Sequence, residues 1–151
     1  MNKKIYFSLV IIAVLVAVGL LAYNLSSKKS TMNINQNVEK APLTDLGVTD
    51  LMVGTGAEAV AGDEITVQYV GKLSNDIIFD SSYNRNSPFA FTLGAGMVIQ
   101  GWEQGIVGMK VGGKRLLSIP ADMAYGAATR GSIPANSDLY FEVDLVSIQG
   151  K

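Results

Sequence analysis

Cysteine and histidine are absent from the 151-residue chain, and their absence excludes several familiar kinds of catalysis. Without cysteine there can be no disulfide, thiolate metal site, cysteine nucleophile or lipidated N-terminal cysteine. Without histidine there can be no Ser-His-Asp triad, no HExxH zinc site and no imidazole acid or base. An enzyme of this composition must therefore act mainly through the shape of its binding site, oriented dipoles and a few carboxylates.

Charged side chains are also scarce, at 17 % of the residues, and they are unevenly distributed. Residues 1–40 contain five lysines and one glutamate, a net charge of +4, whereas residues 41–151 contain seven basic and twelve acidic groups, a net charge of −5. The larger part is acidic and lacks the basic patch that is typical of nucleic-acid binding. We therefore expect no nucleic-acid partner.

Residues 5–23 form a run of 19 residues without a charge, twelve of which are Leu, Ile, Val or Phe. As a helix this run would be about 28 Å long, close to the ~30 Å hydrocarbon core of a bilayer. We expect an uncleaved single-pass membrane anchor, with the N-terminus inside and the folded domain outside the cytoplasm. A signal peptide cleaved after Gly19, which would release a secreted protein, is the alternative.

The chain accordingly divides into three parts. Residues 1–25 are interpreted as the transmembrane anchor or signal segment. Residues 26–44 are polar and rich in Asn, Ser and Lys, which favours a flexible tether. Residues 45–151 are interpreted as the folded domain.

Short β-rich runs separated by glycine dominate this domain. Alternating apolar and polar residues predict strands at residues 48–53, 65–73, 89–93, 115–119 and 139–148. One helix is predicted at residues 99–107, and its glycines mean that tertiary packing must hold it. The expected fold class is α+β, an antiparallel sheet of about five strands wrapped around one short α-helix and preceded by the hydrophobic N-terminal helix.

Three aromatic strings in the domain suggest a binding site in addition to a core. Asp80 and Arg85 stand five residues apart in a turn-rich segment, where the arginine can fix the carboxylate. Trp102 is the single tryptophan and lies on the glycine-flanked helix. Tyr125 precedes a glycine at the start of a loop, a position from which a phenol can reach a ligand.

Residues 47–148 contain, in this order, the strings GTGAEAVAGD, VQYVGKL, FDSSYNRNSPFAFTLG, VIQGWEQGIVGMKVGGKR and AYGAA followed by IPANSDLYFEVDL. In these motifs and their spacing the domain closely resembles the FKBP family of peptidyl-prolyl cis–trans isomerases. The resemblance implies an antiparallel sheet around a short helix and catalysed rotation about X–Pro peptide bonds, with no cofactor and no metal. Because no covalent bond is broken in that reaction, it needs neither cysteine nor histidine.

The resemblance also implies a role for each site residue. Proline would bind in an aromatic pocket floored by Trp102, and the Tyr125 hydroxyl and Ile99 N–H would each donate to a substrate carbonyl. Asp80 would line the pocket mouth, held by Arg85 and Tyr69, and we interpret it as an electrostatic and positional element rather than a general acid or base. The implied catalytic residues are Asp80, Tyr125, Trp102 and Phe79, and the implied substrate-binding residues are Tyr69, Phe89, Val98, Ile99, Ile133, Phe141 and Arg85.

Phe91 matches the family as a support for the pocket, and Ile133 as part of a loop overhanging the groove. Residues 128–132 depart from the family pattern, with Ser132 in place of a second branched apolar residue, which affects substrate preference and macrolide affinity. This loop is also too short to hold the inserted chaperone subdomain of some bacterial members.

The expected partners are proline-containing unfolded or exported polypeptides, macrolide immunosuppressants, and the membrane through residues 5–23. Two alternatives stay open at this point. One is a membrane-tethered, proline-peptide-binding adaptor with little turnover on the same fold. The other is a structural domain that uses its aromatic residues only as core.

Overall fold

A computed structural model of the protein describes residues 41–151. They form a six-stranded antiparallel sheet with one short α-helix. The elements in chain order are β1 (Gly47–Met52), β2 (Glu64–Leu73), β3 (Ile78–Ser81), β4 (Phe89–Thr92), α1 (Gln100–Gly105), β5 (Lys114–Ile119), a 3₁₀-helix (Ala121–Met123) and β6 (Leu139–Ile148). The strand order is β1-β5-β6-β2-β3, and β4 also pairs with β2.

The predicted α+β class and antiparallel sheet are confirmed, and each of the five predicted strands is present within one residue of its expected bounds. The helix is shorter than the predicted 99–107, because it ends at Gly105. A sixth strand, β3, was not expected. It has only four residues, too few to show alternation, and it forms because β2 offers it a pairing edge, with a register shift after Gly71.

β2 and β6 form the centre of the sheet and alternate buried and half-buried side chains along most of their length. The alternation in β6 fails at Val146, where the register moves from the pair Thr66–Ser147 to the pair Val67–Leu145. The extra residue is a β-bulge, and it leaves both Val146 and Ser147 exposed.

The pairing edge of β2 opposite β6 is shared by two strands. Residues 64–67 pair with β4 and residues 70–72 pair with β3. The loop of residues 82–88, which joins β3 to β4, therefore leaves the sheet beside Tyr69. Ser82 fills the gap in the ladder: its hydroxyl accepts the Tyr69 N–H at 2.7 Å, and its own N–H donates to the Tyr69 carbonyl at 3.0 Å.

Glycine allows α1 to lie very close to β5. A Cβ on Gly101 would clash with Ile119, and a Cβ on Gly105 would come within 2.7 Å of Leu117 Cδ2. The end of the helix is held by the buried guanidinium of Arg115, which donates to the Gly105 carbonyl at 2.9 Å. Glycines that weaken an isolated helix thus set the helix-to-sheet distance here.

The predicted anchor at residues 5–23 and the predicted tether up to residue 40 lie outside the described residues. Near the beginning of the described part, the Leu43 N–H donates to Oδ2 of Asp138, the residue before β6, at 2.7 Å. No helix within residues 41–151 is long and apolar enough to cross a membrane.

Candidate active site

An aromatic cavity of about 210 Å³ opens between α1 and the sheet. Its walls come from β2, β3, β4, β6, α1 and the loops before α1 and after β5. The lining residues are Tyr69, Phe79, Asp80, Phe89, Met97, Val98, Ile99, Trp102, Tyr125 and Phe141. All of them except Met97 were singled out in the sequence as site residues.

Trp102 anchors the cavity and is held by rings on several sides. Its side chain is 4 % exposed, and its centroid lies 5.0 Å from that of Tyr69 and 5.2 Å from that of Phe141. Both contacts are edge-to-face, the geometry that aromatic quadrupoles favour. Phe91 is buried beside the indole and stacks on Phe89, which matches its predicted supporting position.

Asp80, the third residue of β3, is the only carboxylate that residues 41–151 contribute to the cavity lining. One carboxylate oxygen accepts the Tyr69 hydroxyl at 2.5 Å, and the other accepts the Ser81 N–H at 2.8 Å. The Arg85 guanidinium forms an ion pair with the carboxylate and donates to the Tyr69 hydroxyl at 2.9 Å. The three side chains therefore form a closed ring of hydrogen bonds, called the Asp80 triad below.

The exposure of the Asp80 triad indicates what it does. The side chains of Asp80 and Arg85 are 37 % and 47 % exposed, and ion pairs this open to solvent contribute at most about 1 kcal/mol to stability. The triad therefore serves mainly to orient the Asp80 carboxylate, because three different contacts restrict it at the cavity rim.

The segment before α1 supplies a second wall through Met97, Val98 and Ile99. Glu103, in the first turn of α1, clamps this segment by accepting the N–H groups of Gly94 and Val98. Helix α1, which carries Trp102, therefore also holds residues 94–98 in place.

Tyr125 reaches the cavity from the segment after β5. The preceding residues turn back sharply, because the Gly126 N–H donates to the Ala121 carbonyl at 2.7 Å. Gly126 has φ 56°, a conformation that favours glycine. Within residues 41–151 neither the Tyr125 hydroxyl nor the Ile99 N–H takes part in a hydrogen bond, so both donors are available to a ligand.

The arrangement suits binding more than covalent chemistry. A half-open aromatic cavity can take a compact apolar ring, and the unpaired donors can hold carbonyl groups on either side of it. No group of three or more acidic side chains in the described part of the chain is placed to hold a metal ion. Rotation about a bond is a reaction that needs only such binding groups.

Comparison with known proteins identifies the domain. The sequence model described as FKBP-type peptidyl-prolyl cis-trans isomerase matches residues 56–146. The chain belongs to this family. The resemblance inferred from the motifs is thereby confirmed, and the protein is a peptidyl-prolyl cis–trans isomerase of the FKBP type.

Curated relatives and a solved structure agree with the family assignment. An FK506-binding protein of Neisseria meningitidis serogroup B is 52 % identical over 102 residues, covering 67 % of this chain and 94 % of the relative. An FK506-binding protein of Streptomyces anulatus is 48 % identical over 110 residues, covering 71 % of this chain and 89 % of the relative. The crystal structure of AtFKBP13 is similar with a TM-score of 0.66 at 43 % identity, covering 71 % of this chain and 95 % of that one.

Two predicted site residues of this FKBP domain do not line the cavity. Arg85 reaches it only through the Asp80 triad. Ile133, expected to overhang the groove, is 6 % exposed and packs in the core. The reason is a tight turn in which the Ile133 N–H donates to the Arg130 carbonyl at 2.8 Å and the Ile133 carbonyl accepts the Arg130 N–H at 3.0 Å, which directs the isoleucine inward.

Two residues that shape the FKBP cavity, Met97 and Gly71, were not predicted from the sequence. Met97 lines it but is 63 % exposed, and a lone methionine in a glycine-rich loop carries no pattern. Gly71 lies under the wall, where a Cβ would come within 2.6 Å of Phe79 Cζ and 2.8 Å of Phe141 Cε1. A glycine inside a clear strand pattern is the one signal that could have identified it.

A larger recess of about 310 Å³ lies on the opposite face of the sheet. Its lining includes Lys72, Glu142 and Leu116, which alternate along their strands with the buried residues. It contains one phenylalanine and no tryptophan. The aromatic cavity, although smaller, is therefore the better candidate for binding proline.

Proposed function

We propose that the aromatic cavity binds the proline ring of a polypeptide against Trp102 and accelerates rotation about the preceding peptide bond. That rotation costs ~18–20 kcal/mol because it breaks amide conjugation, and uncatalysed X–Pro bonds exchange over tens to hundreds of seconds. Water stabilises the strongly polar planar amide more than the twisted one. An apolar cavity removes that preference and lowers the barrier.

The backbone of the substrate is held by donors at the cavity. The Ile99 N–H and the Tyr125 hydroxyl are assigned to carbonyl groups that flank the rotating bond. Fixing both ends keeps the peptide in a turn while the bond twists, so that less entropy is lost on reaching the transition state. The observation that carries the proposal is that these two unpaired donors belong to the same aromatic cavity.

Asp80 is assigned an electrostatic and positional role. Its carboxylate is already bonded to Tyr69, Arg85 and the Ser81 N–H, so it is poorly placed to take a proton from a substrate. Rotation about the X–Pro bond also breaks no covalent bond, so it does not require a general acid or base.

The rate of cis-to-trans relaxation of a short X–Pro peptide, measured with the full chain in detergent, tests these roles. Tyr125→Phe should raise KM or lower kcat by roughly 3- to 10-fold, the value of one hydrogen bond. Asp80→Asn keeps an acceptor for Tyr69 and should retain most of the activity. A loss of more than about 100-fold in Asp80→Asn would show that the negative charge itself stabilises the transition state.

We further propose that the domain works outside the cytoplasm on unfolded or exported polypeptides, attached to the membrane through residues 5–23. The support is the length and composition of that apolar run. Protease added to intact cells should remove the domain, and carbonate washing should leave the chain in the membrane fraction. Protection from protease would contradict the orientation, and release of a shortened chain would indicate cleavage after Gly19.

Macrolide immunosuppressants are proposed as ligands of the same cavity, because the names of the relatives refer to FK506 binding. A macrolide that binds there should inhibit the peptide relaxation competitively. It should also quench or shift the fluorescence of Trp102, the single tryptophan.

A further inference from the structure

The loop of residues 82–88 carries Arg85, the member of the Asp80 triad that does not line the cavity. The position of the guanidinium depends on the position of this loop, because Arg85 belongs to the loop whereas its two partners, Asp80 and the Tyr69 hydroxyl, belong to β3 and β2. The Arg85 guanidinium also lies 5.6 Å from the centre of the Tyr69 ring.

The base of the loop is attached to β2 through Ser82, which is fully buried and bonded to Tyr69. Within the loop, the Asn86 N–H donates to the Tyr83 carbonyl at 3.0 Å and the Ser87 N–H donates to the Ser82 carbonyl at 3.1 Å. These bonds define the shape of the loop, but they leave open how its tip is oriented relative to the sheet.

Tyr83 supplies that orientation. Its hydroxyl donates to Asp144 Oδ2 at 2.6 Å, across 61 residues of sequence. Asp144 belongs to β6 and pairs in register with Gln68 of β2, the residue before Tyr69. The carboxylate is held in turn by the Lys114 ammonium at 2.9 Å, which also contacts Glu142 at 2.7 Å.

The charges of this cluster favour the observed state of each partner. The hydrogen bond to the Asp144 carboxylate raises the pKa of Tyr83, so the phenol stays protonated and continues to donate. Hydrogen bonds to Glu142 and Asp144 raise the pKa of Lys114, so the ammonium stays charged. Both donors to Asp144 therefore keep their protons to a higher pH than free side chains would.

We propose that Tyr83 is a positioning residue of the isomerase: by bonding to Asp144 it orients the loop that places Arg85 on Asp80 and Tyr69. The side chain of Tyr83 is 45 % exposed and lines no part of the aromatic cavity. Its influence on catalysis therefore runs through Arg85, two residues further along the loop. The inference rests on the proposed role of the Asp80 triad.

A double-mutant cycle with the full chain separates this role from a general effect on stability. Tyr83→Phe removes only the hydroxyl, and it should lower kcat/KM for a short X–Pro peptide by about 3- to 10-fold, the value of one hydrogen bond. In the Arg85→Ala background the same substitution should have no further effect, because there is no guanidinium left to position. Thermal unfolding of each variant is recorded alongside.

Two further variants complete the test. Asp144→Asn retains an oxygen that accepts the Tyr83 hydroxyl and should keep most of the activity, whereas Asp144→Leu should match Tyr83→Phe. Asn84→Ala, in the same loop but with no side-chain hydrogen bond within residues 41–151, is the matched control and should leave the rate unchanged.

The results for Tyr83→Phe and Arg85→Ala test the positioning role of Tyr83 separately from the role of the Asp80 triad. An equal loss from Tyr83→Phe in both backgrounds, or no loss in either, would overturn the positioning role while leaving the Asp80 triad intact. If Arg85→Ala alone kept the full rate, the proposed role of the triad would fail, and the role of Tyr83 would fail with it.

Discussion

Replacing Gly71 by alanine adds one methyl group beneath the cavity wall. The new Cβ would lie 2.6 Å from Phe79 Cζ and 2.8 Å from Phe141 Cε1, whereas carbon atoms in contact normally lie about 3.5–4.0 Å apart. One or both rings must therefore move by about 1 Å. Phe79 is the half-buried ring of the pair, and its movement would open the edge-to-face contact of 5.5 Å that the two rings share.

The expected cost in stability is moderate. Overpacking a core by a methyl group typically costs about 1–3 kcal/mol, and the loss of glycine's freedom in the unfolded chain offsets about 0.4–1 kcal/mol of it. We therefore expect Gly71→Ala to lower the free energy of unfolding by about 1–2 kcal/mol. We expect kcat/KM to fall about 10-fold, the equivalent of about 1.4 kcal/mol in the barrier.

Urea unfolding and the peptide relaxation assay measure the two effects separately. Gly47→Ala is the matched control, since it also lies in a strand and its added Cβ would come no closer than 3.2 Å to another atom, Ser118 Cβ. Wild-type stability and rate in Gly71→Ala would refute the reasoning, because the rings would then have room that the structure does not show.

Two further predictions concern the supports of α1 and of the cavity wall. The Arg115 guanidinium beside Asp50 lowers the pKa of that carboxyl below its ordinary value of 3.8, so the contact stabilises the fold above that pH and is lost as the pH falls through the lowered pKa. Asp50→Asn should thus unfold at lower urea than wild type at neutral pH, and the difference should shrink below pH 3.8. Glu103→Ala should release residues 94–98 and raise KM by about 3- to 10-fold with a smaller change in kcat, as measured by peptide relaxation.

The regular strands were predictable because each is long enough for its pattern to show. β6 has ten residues and alternates until Val146, and β2 alternates throughout, so one face of the sheet could be read from the sequence. β3 has four residues, and its existence depends on a free edge of β2 rather than on its own composition. A strand that forms because another strand offers it a pairing edge cannot be predicted from its own short sequence.

The site residues that lie within the motifs could be predicted from the sequence. Contacts between residues far apart in the chain could not. The aromatic lining follows from the resemblance of the motifs to the FKBP family, and the pairing of Asp80 with Arg85 follows from their spacing of five residues in a turn-rich segment. The bond from Tyr83 to Asp144 spans 61 residues and depends on the register of two strands. The inward direction of Ile133 depends on a four-residue turn in which Gly131 has φ 54°; the glycine signals a turn, but it does not show which way the isoleucine points.

The central claim is that the cavity floored by Trp102 catalyses rotation about X–Pro bonds. The most direct test compares cis-to-trans relaxation of a short X–Pro peptide with the wild-type full chain and with Trp102→Leu, each checked for folding by thermal unfolding. Tyr125→Phe is included in case the leucine variant does not fold. We predict acceleration by the wild type and its loss in the folded Trp102→Leu variant. A folded wild-type chain without acceleration, or a Trp102→Leu variant with the full rate, would contradict the account.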